Sequence, residues 1–196
     1  MRHGLPVRID AADGAGPADP GLSERGHEQA RRVVQALAGA EVTALYSSHL
    51  ARARETALPL AEALGIDVVE LPGIAEFDSH EPSYVPVEQL RASGDPRWGM
   101  LQRGELYSVG VDPAAFRARV VETVESVVAA HPGGRAVLFT HAGVLNAYAG
   151  HVLAQQKSIW FGPAYCSVSR LVAARDGRRS VLSLNETGHV RDLLAG

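Results

Sequence analysis

Ala136-Val137-Leu138-Phe139-Thr140-His141-Ala142-Gly143 is the stretch that decides the fold. A short apolar run from Ala136 to Thr140 stops at His141, and a helical pattern follows from Val144 to Leu153, so the stretch is a strand-to-helix junction. The residues upstream lead into it. Asp112-Pro113 offers an N-cap acid and a proline at the first helical position. Phe116, Val120, Val124, Val127 and Val128 then recur at helical spacing up to His131-Pro132-Gly133-Gly134. The pattern repeats nearer the N-terminus. Val42 to Tyr46 reads as a strand ending in Ser47-Ser48, a helix runs from about Leu50 to Leu64 with Gly65 as its stop, and Ile66 to Leu71 is another short strand. An earlier helix opens at Leu22-Ser23, with Ser23 as N-cap, an apolar stripe of Ala30, Val33, Val34 and Leu37, and Gly39 as its stop. Ser167 to Ala173 and Ser180 to Asn185 are strands joined by a turn at Asp176-Gly177. Alternating strands and helices predict a layered α/β fold with a mostly parallel sheet, closed by an antiparallel edge pair. Residues 10–21 read as a loop. Residues 72–111 read as an irregular insertion over one end of the sheet.

The bulk numbers narrow the function. The chain has 196 residues, 46% hydrophobic and 21% charged, which suits one domain with a real core. The expectation is a single domain over 1–196. A formal net charge of −3 gives no general attraction to nucleic acid or to an acidic membrane face. No apolar run approaches the ~20 residues of a membrane span. The lone Cys166 cannot form an internal disulfide. The N-terminus has no hydrophobic stretch of signal-peptide type, so a cytoplasmic protein is expected. A homodimer is left open.

The chemistry lies at the chain's beginning and at two strand ends. Met1-Arg2-His3-Gly4 puts an imidazole beside a guanidinium, followed by a glycine. The imidazole can attack phosphorus, the arginine fork can hold two phosphate oxygens, and glycine permits close backbone approach. In open α/β sheets, ligands bind beyond the carboxyl ends of strands. His141 lies at one such end. Ser47-Ser48 lie at another, with Arg52 in the following helix. A helix N-terminus adds its dipole and free N–H groups to an anion site. His27, His49, His80, His131 and His151 read as surface or packing residues, and none forms a metal pair at helical spacing with an acid nearby. No metal is expected.

The chain resembles the histidine phosphatase (phosphoglycerate mutase-like) superfamily. Arg2-His3-Gly4 matches its first signature, and Leu22-Ser23-Glu24-Arg25-Gly26 with Gln29-Ala30 matches its first helix start. Tyr46-Ser47-Ser48 with Leu50, Arg52, Ala53, Thr56 and Ala57 matches the second arginine motif. Thr140-His141-Ala142-Gly143 matches the second histidine motif, and Asn185 to Val190 the closing segment. The resemblance implies a three-layer α/β/α fold. It implies that His3 becomes phosphohistidine, that Arg2, Arg52 and His141 surround the transferring phosphoryl, and that Glu76 protonates the leaving oxygen. Asp78 and Glu81 are alternatives for that acid, and Arg8 and Ser23 are further candidate phosphate contacts. Such an enzyme needs no cofactor and acts on a small phosphorylated metabolite as a phosphoric monoester hydrolase of histidine acid phosphatase type.

Two departures temper this. The family has a short apolar strand before Arg-His-Gly, for which this sequence has no room. Either the start is misassigned, the chain is truncated, or the site is malformed. Where many relatives carry an asparagine six residues after the nucleophile, this chain has Ile9. The second histidine motif also lacks the His-Gly-Asn run of the glycolytic mutases, which favours a phosphatase. A phosphoglycerate-type mutase is the alternative enzyme. A catalytically silent phosphate-binding protein is the alternative if the missing strand is real.

Overall fold

The structure is a computed structural model and describes residues 1–11 and 16–194. Of the loop expected over 10–21, residues 12–15 lie outside the described residues. The elements run α1 (Glu24–Ala36), β1 (Ala44–Ser47), α2 (Ala51–Leu64), β2 (Val68–Glu70), α3 (Val87–Ser93), α4 (Pro96–Arg103), α5 (Pro113–Ala130), β3 (Ala136–Phe139), α6 (Ala142–Val152), β4 (Val168–Ala173) and β5 (Arg179–Glu186). Short 3-10 turns cover Pro72–Ile74 and Gly188–Leu193. β1 pairs in parallel with β2 on one side and β3 on the other. β4 and β5 form the antiparallel pair.

Strand alternation divides the core into two. Leu45, Val137 and Phe139 join Val33 and Leu37 of α1 and Ala57 and Leu60 of α2. Leu138 faces the other way, onto the cluster of Phe116 and Val120 from α5 with Val144, Ala147 and Tyr148 from α6. Helices therefore cover both faces of the sheet, the three-layer α/β/α arrangement. Among the described residues no helix is long and apolar enough to cross a membrane.

Three expectations are corrected. First, segment 72–111 is not simply irregular, because it carries α3 and α4. Asp95 caps α4 by accepting from the Arg97 N–H, and Pro96 occupies the first turn. This is the start signal of Asp112-Pro113 over again, where Asp112 accepts from the Ala114 N–H. Gly94 and Gly104 end the two helices in left-handed conformations. Second, α6 begins at Ala142 rather than Val144, directly after His141. Third, no strand precedes His3, yet its backbone is held in place through an isolated parallel bridge of Arg2 with Thr140. Thr140 N–H donates to Met1 O at 2.8 Å, His3 N–H to Thr140 O at 2.8 Å, Arg2 N–H to Ser167 O at 3.2 Å and Cys166 N–H to His3 O at 3.1 Å. Three residues thus bridge the end of β3 to the approach of β4 by backbone hydrogen bonds alone, and Met1 joins the first core cluster.

Candidate active site

The site begins with what holds His3 rigid. Gly4 N–H donates to Thr56 Oγ1 at 2.9 Å, and that hydroxyl donates to Arg52 O at 2.6 Å. Leu5 N–H donates to Gln29 Oε1 at 2.8 Å. The side chains of α1 and α2 therefore grip the backbone just after His3. His3 Nδ1 lies 2.7 Å from Gly4 O. A carbonyl only accepts, so Nδ1 carries the proton and the lone pair of a neutral ring is on Nε2. Burial holds the His3 pKa well below the usual histidine range, and Arg52 and Arg2 push it further down. The ring is therefore held neutral by desolvation first and by positive charge second.

Arg2, His3, Arg52, Glu76 and Gly143 all line one cavity of about 800 Å³. His141 is itself wholly buried, with its ring centroid 5.1 Å from that of His3. Its pKa is also well below the usual range, through burial first and Arg52 second. Arg2 donates from Nη1 to Pro163 O at 2.7 Å, and its guanidinium lies 3.7 Å from the Tyr165 ring centroid. Arg52 lies 4.7 Å from the Tyr84 ring centroid. The two aromatic faces hold the cations without consuming their N–H donors. Arg2 Nε, Arg52 Nε and both His141 ring nitrogens are buried with no hydrogen-bond partner in the described protein. Arg52 is only 1% exposed, yet its nearest carboxylate oxygen, on Asp78, is 3.9 Å away. A buried cation is costly unless an anion meets it. This cluster of unspent donors has the chemistry to meet a multiply charged oxyanion.

Glu76 caps the first turn of α6. Its Oε2 accepts from Gly143 N–H at 2.8 Å and its Oε1 from Phe77 N–H at 3.2 Å. Those bonds lower its pKa, but burial and the charge of Asp78 outweigh them and raise it to about 7. A Cβ on residue 143 would lie 2.3 Å from Glu76 Oε1, so only glycine lets the carboxyl seat there. Asp78 itself accepts from the Tyr107 hydroxyl.

Arg8 and Ser23 do not line the cavity. Arg8 is half exposed and paired with Asp10. Ser23 caps α1, accepting from Gly26 N–H at 3.1 Å and donating to Leu5 O at 2.9 Å, so its hydroxyl is already spent. Glu81 accepts from the Ser108 hydroxyl and is likewise off the cavity wall. Backbone N–H and C=O of Ile9 both pair with Tyr84, so the chain at that position positions an aromatic residue of the site. Tyr84, Tyr165 and Tyr107 were missed by sequence reasoning. A loop tyrosine carries no motif, and only long-range contacts show what it supports.

Arg2, His3, Arg52 and Glu76 on one cavity, with the His141 ring packed behind His3, make up a class of site whose charge and donors suit a phosphate group. The sequence model of the histidine phosphatase superfamily (branch 1) matches residues 1–187, and the chain belongs to that family. It is 30% identical over 180 residues to phosphoserine phosphatase 1 of Hydrogenobacter thermophilus, covering 89% of this chain and 85% of that protein. It is 26% identical over 163 residues to the probable phosphoglycerate mutase GpmB of Photorhabdus laumondii, covering 78% and 73%. Among solved structures, the mycobacterial glucosyl-3-phosphoglycerate phosphatase complex with VO3 superposes with a TM-score of 0.76 at 24% identity, covering 94% of this chain and 96% of that one. This likeness speaks for the fold.

Proposed function

We propose that the protein is a phosphomonoester hydrolase of histidine acid phosphatase type, working through a phosphohistidine on His3. The observation that carries this reading is the buried His3 ring, with its lone pair on Nε2, among unspent Arg2, Arg52 and His141 donors. His3 Nε2 attacks phosphorus and the P–O bond to the alcohol breaks. Arg2, Arg52 and His141 stabilise the equatorial oxygens, as phosphoryl transfer demands. An arriving phosphate dianion favours a proton on His141, offsetting the neutral state that burial imposes. Glu76, protonated up to about pH 7, gives its proton to the leaving alkoxide. Its carboxylate then takes a proton from water, which attacks the phosphohistidine and releases phosphate and neutral His3. The positive charge comes from side chains, so we expect full activity in the presence of a chelator.

The relatives suggest small phosphorylated metabolites as substrates, phosphoserine among them. The mutase reading draws support from the GpmB likeness. Against the silent reading stand the backbone hydrogen bonds that hold residues 1–3 in place although no full strand precedes His3. Labelled phosphate from a phosphomonoester should appear on the parent protein in an acid-labile, base-stable form and be absent from His3→Ala. Parent-rate turnover by His3→Ala would reject the proposal. Phosphoglycerate should yield free phosphate; an isomeric phosphoglycerate as the main product would establish the mutase instead.

A further inference from the structure

We infer that Arg119 is a positioning residue that holds the acid Glu76 at its working position by clamping the preceding loop to α5; this rests on the reading of Glu76 as the acid. Glu76 ends the segment Pro72-Gly73-Ile74-Ala75-Glu76, which has only one turn of 3-10 helix to stiffen it. Arg119 lies on α5 and supplies the stiffness from outside. Its Nη1 donates to Pro72 O at 3.2 Å and Gly73 O at 2.9 Å, and its Nη2 donates to Ala75 O at 3.1 Å. The remaining carbonyl, Ile74 O, accepts from Thr140 Oγ1 at 3.0 Å. All four carbonyls leading to the acid are thus engaged, three of them by one planar fork.

A rigid fork fixes both the place and the twist of the chain, which a single flexible ammonium cannot do. Space is fixed as well. A Cβ on residue 73 would lie 1.9 Å from Thr123 Oγ1, one turn along α5 from Arg119, so the loop lies flush on the helix. Thr123 in turn donates to Arg119 O at 2.8 Å. The Arg119 guanidinium lies 5.1 Å from the Phe116 ring centroid, against the second core cluster. The clamp therefore bears on the protein's rigid part. At the loop's far end the Glu76 carboxyl reaches Gly143 N–H. Arg119 does not line the cavity, so it acts through Glu76 and not on substrate.

The test uses leaving groups of different basicity. An alkyl phosphate needs a proton from the acid, whereas p-nitrophenyl phosphate leaves without one. Arg119→Met keeps the apolar stem and removes the fork. It should lower kcat/KM, which reports the step up to departure of the leaving group, by about 100-fold on an alkyl phosphate, the scale of an ångström-sized misplacement, and lower kcat/KM on p-nitrophenyl phosphate far less. In a Glu76→Gln background the same change should cost nothing further on the alkyl substrate. Arg119→Lys, which keeps the charge, should show the same split in smaller degree and serves if Arg119→Met does not fold. Equal losses on both substrates, no loss, or an additive loss in the Glu76→Gln background would overturn the inference while leaving the acid assignment intact. If Glu76→Gln itself shows no leaving-group dependence, the acid assignment fails and the Arg119 inference falls with it.

Discussion

At the residue scale, the site works by withholding partners. Arg52 and His141 are buried with nitrogens bonded to no acceptor, and under the proposed function those donors are preorganised for an oxyanion. Arg52→Ala and His141→Ala should each lower kcat by an amount equivalent to about 2.7–4 kcal/mol of barrier, as other preorganised charge-stabilising donors do. The two should unfold near the parent temperature. Steady-state kinetics and thermal melts check this together, and a near-parent rate in either variant would remove that residue from the site. Glu76 makes a second prediction. Its proton is lost near pH 7, so turnover of an alkyl phosphate should decline above that pH. Asp78→Asn removes the neighbouring charge that helps to raise Glu76 and should move the decline to lower pH. A pH profile with an unmoved limb would mean that burial alone sets it.

At the element scale, α6 shows how one residue can serve two elements. His141 occupies its N-cap but makes no side-chain cap bond. The carboxyl of Glu76, 67 positions away in sequence, accepts from Gly143 N–H instead. A carboxylate is welcome at a helix N-terminus, and here it is also the proposed acid. Gly143→Ala should therefore leave the helical content unchanged, since alanine is the better helix former. The added methyl should displace Glu76, because it would stand 2.3 Å from Oε1 and 2.7 Å from the Phe77 ring. Circular dichroism at parent level with a large loss of alkyl phosphate turnover is the expected pair of results. Parent-level turnover would show that the carboxyl does not need this seat.

At the scale of the whole molecule, the site's buried groups make stability depend on pH with opposing signs. Glu76 is raised from 4.5 to about 7 in the fold. The folded protein therefore holds a proton that the unfolded chain has lost, and this contribution to stability declines as pH rises from about 4.5 through 7. His3 and His141 are lowered. The unfolded chain binds their protons more tightly, so their contribution grows as pH rises through 6.5. Comparing the parent with Glu76→Gln cancels the histidines. The melting temperature of Glu76→Gln relative to the parent should be higher at pH 8 than at pH 5. A difference that stays constant or reverses would mean that Glu76 titrates near its ordinary value.

Local chemistry settled much of this protein. Asp112-Pro113, Ser23 and Gly65 mark helix ends because caps act over three or four residues, and the strand-end placement of His141 and Arg52 follows from period and punctuation alone. Asp95-Pro96 carried the same start signal as Asp112-Pro113. It was obscured because the surrounding segment has no apolar periodicity to announce a helix. The support of the site was decided only by tertiary structure. Arg119 grips backbone carbonyls, which every residue possesses and no sequence pattern marks. Tyr165 and Tyr84 meet Arg2 and Arg52 across 163 and 32 positions of chain. The shifts of His3, His141 and Glu76 arise from burial, which exists only once the layers have closed over them. Residue type told which groups could carry the chemistry; desolvation and long-range contact determined their protonation and held them in place.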